Sequence, residues 1–198
     1  NGYQRFGHFS SGFSSIFYTE ESSTGFTTTT VRSSIDLAYP IGMHLDSGDL
    51  TRMVYVDDDD YMVRMATLNG TWTETSILNT SIGDDFESAL DDDDVLIFVQ
   101  VAVSNNSTML QFVEYENGNT TATDIIAANT TSQFEIELLD EKIVISLIDS
   151  DHLIVLERLM SGGNWTVVSD TWLLGVTEGH SLAMSGQVIL FDANNTVQ

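Results

Sequence analysis

Apolar residues in this chain come in short runs, separated by polar turns every eight to twelve positions. The runs are of different kinds. Met53 to Val56, Val95 to Val103, Ile143 to Ile148 and Val188 to Phe191 are almost continuously apolar. Phe26 to Val31, Trp72 to Ile77, Thr121 to Ile126 and Trp165 to Ser169 are Thr-rich and alternating. A strand covered on both faces becomes a solid apolar run, whereas a strand with one wet face alternates. Two further sets complete the picture. Ile41 to Leu45, Phe86 to Leu90, Phe134 to Leu139 and His180 to Met184 are half-apolar and lead into the solid runs. Ile16 to Thr19, Tyr61 to Ala66, Met109 to Tyr115 and Leu153 to Met160 follow the solid runs after a polar break. Val, Ile, Thr and aromatic residues dominate throughout, which favours strands over helices.

These sets recur with a period of about 45 residues. Gly25, Gly70, Gly118 and Gly163, each in a turn before a Thr-rich run, are 45, 48 and 45 apart. A second landmark keeps the same rhythm: Leu45-Asp46, Leu90-Asp91, Leu139-Asp140 and Met184-Ser185 are 45, 49 and 45 apart. A repeated four-stranded unit of this length is the pattern of a β-propeller blade. The expected fold is therefore an all-β propeller of four-stranded antiparallel blades in one domain, about four of them in this chain. The approximate repeats are 1–40, 41–84, 85–132 and 133–178. Residues 179–198 form a half blade that would complete the first by pairing the two ends of the chain. The alternative is a larger ring completed by flanking sequence. Tyr3 to Phe9 is a further strand candidate.

Two of the glycine turns carry a resemblance. Thr67-Leu68-Asn69-Gly70-Thr71-Trp72 and Ser161-Gly162-Gly163-Asn164-Trp165 resemble a degenerate Asp-box, the Ser-x-Asp-x-Gly-x-Thr-Trp turn of sialidase-like propellers. The glycine and tryptophan are kept and the aspartate is missing. The resemblance implies the fold type and no specific family.

Charge changes the picture next. Thirty acids face six bases, giving a formal net charge of −24, and Lys142 is the one lysine. Phosphate binding needs clustered Lys and Arg, so nucleic acid is excluded as a partner and anionic lipid is disfavoured. Self-repulsion at this charge calls for salt or bound cations to screen it. Scarce lysine beside abundant acid fits a protein adapted to saline, halophilic surroundings, with an archaeal envelope as the suggested source. The chain has no cysteine, which rules out disulfides and thiol chemistry. No apolar run reaches the roughly 20 residues of a membrane-spanning helix, so no membrane contact is expected within this segment. The absence of a starting Met suggests a mature product or a piece of a longer protein.

Asparagine usage points outside the cell. The Asn-x-Ser/Thr acceptor occurs at Asn69, Asn79, Asn105, Asn106, Asn119, Asn129, Asn164 and Asn194, eight of eleven asparagines. Ser and Thr make up about a fifth of the chain, so chance accounts for only about two or three. Such acceptors are used in exposed loops of exported proteins. The expected location is extracellular or cell-surface.

Candidate chemistry is sparse. Asp57, Asp58, Asp59 and Asp60 form one acidic run, and Asp91, Asp92, Asp93 and Asp94 form another. Clustered carboxylates are hard oxygen ligands suited to Ca²⁺, so each turn is a candidate calcium site, with a solvated turn as the default. The two runs fall on different turns of the repeat and form separate sites. They would also discourage edge aggregation beside the apolar strands. His8, His44, His152 and His180 are scattered without metal-ligand spacing. Glu114 and Glu116 share one strand face, a pair that could serve glycoside hydrolysis. No motif ties Arg5, Arg32, Arg52, Arg64 and Arg158 together. There is no phosphate loop, Gly-x-Ser-x-Gly or His-Glu-x-x-His. Trp72, Trp165 and Trp172 could stack sugars, but the recurrence of Trp at blade positions favours packing.

The function expected from these features is an extracellular, glycosylated propeller serving as a binding or structural module. Its partners would be other surface proteins or glycans, self-assembly included. Two alternatives stand beside it: a sialidase-like hydrolase or lyase acting on carbohydrate, and a subunit of an extracellular filament or surface layer.

Overall fold

The computed structural model describes residues 4–10, 12, 14–35, 42–79, 86–104, 106–139, 141–173, 177–182 and 188–192, with backbone alone for 104, 177–182 and 188–192. Seventeen strands and no helix are found among the described residues. The first sheet joins β1 (Arg5–Phe9), β2 (Ser15–Ser22) and β3 (Gly25–Ser33). The second joins β4 (Gly42–Leu45), β5 (Thr51–Asp57), β6 (Met62–Asn69) and β7 (Thr71–Asn79). The third joins β8 (Phe86–Leu90), β9 (Leu96–Ser104), β10 (Ser107–Glu116) and β11 (Asn119–Ala127). The fourth joins β12 (Gln133–Leu139), β13 (Lys142–Asp149), β14 (His152–Leu159) and β15 (Thr166–Trp172). A fifth holds β16 (Thr177–Leu182) and β17 (Val188–Asp192). Every pairing is antiparallel and sequential.

Burial follows the gradation of the sequence. In β13, Ile143 to Ile148 are buried without a break, and in β5 Met53 to Asp57 are. The fourth strands β3, β7, β11 and β15 are exposed along most of their length. Two covered faces demand a solid apolar run, and an outer strand tolerates threonine.

The four landmark glycines occupy equivalent hairpins between third and fourth strands, all with positive φ: Gly25 at 120°, Gly70 at 72°, Gly118 at 85° and Gly163 at 114°. In the third sheet Asn117 and Gly118 are both left-handed (φ 49° and 85°) between the paired Glu116 and Asn119. That is the two-residue hairpin geometry whose twist matches the flanking strands. The second landmark also has a cause. Asp46 follows β4, and its Oδ1 accepts the N–H groups of Gly48 (3.0 Å) and Leu50 (2.9 Å). Asp91 follows β8 and accepts the Val95 N–H at 2.8 Å. Each aspartate ties down the turn from first to second strand. Asp140, Met184 and Ser185 lie outside the described residues.

A third equivalence is invisible as a residue motif. All four larger sheets carry a β-bulge between third and fourth strands, at Ile16/Phe17, Val63/Arg64, Leu110/Gln111 and Val155/Leu156. The extra residue bends and twists the outer strand.

The further strand candidate is β1, which pairs with β2 from Arg5↔Glu20 to Phe9↔Ile16 and so belongs to the first sheet.

The chain divides into two compact units, one of Asn1–Thr80 with Asp92–Asp94, the other of Ser81–Asp91 with Val95–Gln198. In the first, Ile16, Tyr18, Ile35, Met53, Tyr55 and Ala66 form the core. In the second, β12 lies between β8 and β16, and Val99, Phe112, Phe134, Ile145 and Leu147 sit in the core.

Each unit joins two sheets by the same aromatic device. Trp72 meets Tyr18 edge-on at 5.4 Å, and Trp165 meets Phe112 edge-on at 5.2 Å. Tyr18 and Phe112 each stand one residue past the bulge of their sheet. The tryptophans two residues past Gly70 and Gly163 therefore pack against the preceding sheet, as their recurrence suggests.

Candidate functional site

The first acidic run lies in the β5–β6 turn. Asp57, at the end of β5, is 3% exposed, and a carboxylate so placed needs charge partners. It has two: Arg64 Nε at 3.1 Å and Arg32 Nη2 at 3.5 Å. Arg64 also pairs with Asp60 and, at 3.4 Å, with Glu74. Arg32 reaches Glu74 at 3.1 Å, and the Tyr55 hydroxyl donates to the same carboxylate. Burial, then Glu74, pushes the Tyr55 hydroxyl pKa far up, so it stays protonated. Two arginines with no sequence motif in common are thus brought together by three carboxylates. The cross-strand row Tyr55–Arg64–Ser76 follows directly on the bulge. Its counterpart in the third sheet is Gln100–Gln111–Asp124, linked by hydrogen bonds of 3.2 and 2.8 Å. That ladder accounts for a glutamine inside an otherwise apolar strand.

The second acidic run lies in the β8–β9 turn. Asp91 holds the turn as described above, and Asp94 accepts the N–H (2.7 Å) and hydroxyl (2.5 Å) of Ser47. These bonds hold the Asp94 carboxyl below its ordinary pKa. Asp58 is half-buried, and Asp59 and Asp92 are exposed. The two runs occupy different hairpins, as their place in the repeat requires. Among the described residues, no group of three or more His, Asp or Glu side chains is arranged to hold a metal ion.

Basic side chains show a consistent pattern. All six are ion-paired: Arg5 with Glu20 and Asp49, Arg32 with Asp57 and Glu74, Arg52 with Asp46, Arg64 with Asp57, Asp60 and Glu74, Lys142 with Glu157, and Arg158 with Glu114. Glu114 of the proposed carboxylate pair is thereby committed to Arg158 at 2.8 Å.

The sequons fall at turns and strand ends. Asn69, Asn79, Asn106, Asn119, Asn129 and Asn164 are exposed, while Asn105 and Asn194 lie outside the described residues. Asn69, Asn119 and Asn164 share one place, the connection from third to fourth strand. Asn129 differs in that its amide donates to Asp149 and Ser150.

Asn164 also lines an open groove of about 310 Å³ in the fourth sheet, with Lys142, Glu157, Leu159, Gly163 and Val168 among its walls. Arg158 also lines it, and its guanidinium lies 4.2 Å from the Phe112 ring centroid and 5.4 Å from that of Trp165. Arg158 Nε and Trp165 Nε1 are buried without a hydrogen-bond partner among the described residues. Gly162 and Gly163, both with positive φ, line the groove without side chains to fill it. Nothing in the sequence beyond that glycine pair signalled it. Trp172, 66% exposed, lies tilted against His152 with ring centroids 4.2 Å apart, and His152 Nδ1 lies 2.7 Å from Asp170.

Neither a family profile nor a curated protein sequence matches the chain. Solved structures do. A candidate 6-phosphogluconolactonase from Bacteroides uniformis superposes with a TM-score of 0.62 at 9% identity, over 99% of this chain and 62% of that one. The nidogen/laminin complex gives a TM-score of 0.57 at 10% identity, over 97% of this chain and 71% of that one. The Aleuria aurantia lectin bound to α-methyl-L-fucoside gives 0.51 at 10% identity, over 98% and 70%. The fold is of the β-propeller type. This chain spans less than two thirds of the length of the first of these proteins. At such identities the likeness concerns the fold alone, and the Asp-box resemblance identifies no family within it.

Proposed function

We propose that this chain is an exported, N-glycosylated propeller module that acts by binding, as part of a cell-surface or extracellular assembly. The observation that carries the reading is the set of sequons. Eight of eleven asparagines are acceptors, and each of the six that the structure describes is exposed. A cysteine-free, strongly acidic surface supports saline surroundings, where carboxylates stay hydrated and screened. The fold is compatible with partners of either chemistry, since propellers of this type include a laminin-complex component and a fucoside-binding lectin.

Binding is favoured over sialidase-like catalysis by the state of the basic residues. An enzyme of that kind holds a substrate carboxylate with free guanidinium groups. Here every arginine is already paired with the chain's own carboxylates.

Site-resolved mass spectrometry of peptides from the protein isolated from its native source tests the reading. Glycan at Asn69, Asn79, Asn119 and Asn164 is the expected result. Unmodified asparagine at every acceptor overturns it.

A further inference from the structure

Positions one residue past the bulge carry Tyr18, Met65, Phe112 and Glu157 in the four sheets. Tyr18 and Phe112 receive the tryptophan of the following sheet. The fourth sheet breaks the series with a charge. Glu157 is paired with Lys142 at 2.8 Å, and both line the groove beside Asn164. Strand alternation puts Glu157 and Leu159 on the same face of β14, opposite the face from which Arg158 meets Phe112. This face therefore combines an ion pair with uncovered apolar surface: Leu159 is 52% exposed and Val168 50%.

We propose that this groove seats the first sugar residue of the glycan carried by Asn164, so that the glycan is part of the folded surface rather than a free appendage. The proposal rests on the glycosylation reading above. Three observations support it. The acceptor asparagine is itself a wall of the groove, so the sugar is tethered where it must bind and faces a high effective concentration. The volume, about 310 Å³, lies at the small end of ligand pockets, roughly 300 to 1,000 Å³. The lining matches a sugar, with Leu159 and Val168 for its apolar C–H face and Lys142, Glu157 and Thr166 for its hydroxyl groups. Asn69 and Asn119 occupy equivalent turns and serve as internal controls.

The test is glycoform-resolved stability and NMR of the full chain, produced in a eukaryotic secretion host. Methyl groups of Leu159 and Val168 should show contacts to protons of the first sugar. Asn164→Gln should lower Tm by about 2–4 °C, the shift of roughly 1 kcal/mol in a chain of this size. Asn69→Gln and Asn119→Gln should move it by under about 1 °C. Trimming every glycan to its first sugar should preserve the Asn164 effect. An occupied Asn164 without methyl–sugar contacts overturns the proposal. So does a bare Asn164 where Asn69 and Asn119 are occupied, and in that case export and glycosylation still stand. Absence of glycan at all sites in both this host and the native protein removes the glycosylation reading itself.

Discussion

Replacing Trp72 and Trp165 by phenylalanine should have different consequences in the two units. Trp72 and Trp165 occupy the same position and make the same edge-on contact, with Tyr18 and Phe112. Their indole N–H groups differ. Trp72 Nε1 donates to Thr29 Oγ1 at 3.2 Å, whereas Trp165 Nε1 is buried without a partner among the described residues. Both substitutions lose apolar contact of similar extent, about 1 kcal/mol. Trp72→Phe also forfeits a hydrogen bond, about 1 kcal/mol more, and leaves the exposed Thr29 hydroxyl to water. Trp165→Phe removes an unsatisfied donor instead, which returns about 1–3 kcal/mol. It weakens the cation–π contact of Arg158, 5.4 Å from the indole, by about 0.5 kcal/mol. The net expectation is a loss of about 2 kcal/mol for Trp72→Phe and a change near zero for Trp165→Phe. Urea unfolding at fixed high salt, followed by far-UV circular dichroism, measures both. Equal losses, or a larger one at Trp165, would refute the hydrogen-bond accounting.

Three further outcomes are expected. Raising salt from 50 mM to 2 M should raise Tm by several degrees, because a charge of −24 repels itself and all six bases are already used; a flat response would contradict this. Burial, with Arg52 adding to it, lowers the His44 pKa to about 4 from 6.5, so the unfolded chain binds the extra proton between those values. Stability should therefore fall as pH drops from about 6.5 towards 4, by on the order of 1–3 kcal/mol, and urea titrations of His44→Gln should show a shallower slope over that window. Asp46→Ala should cost about 1–2 kcal/mol, since it strips the Gly48 and Leu50 N–H groups of their acceptor and Arg52 of its carboxylate partner, and thermal melting would read the loss.

What the sequence determined by itself is the order and character of the strands. Hydrophobic periodicity is local, and a strand with two covered faces cannot hide its need for apolar residues on both. Met53 to Val56 and Ile143 to Ile148 announced their burial in this way, and the threonines of β3 and β7 announced exposure. Gly25, Gly70, Gly118 and Gly163 were legible because positive φ disfavours any residue with a Cβ. Contacts between sheets were decided by tertiary structure alone. Arg32 and Glu74 are far apart in the chain, and no spacing rule links them, yet they meet at 3.1 Å. The same holds for Trp165 and Arg158 around Phe112, and for the walls of the groove at Asn164. The place of β1 beside β2 was equally hidden, because several strands with one apolar face can satisfy the same edge and local pattern does not choose among them. Side-chain periodicity reports how much of a strand is covered; only the packed chain decides what covers it.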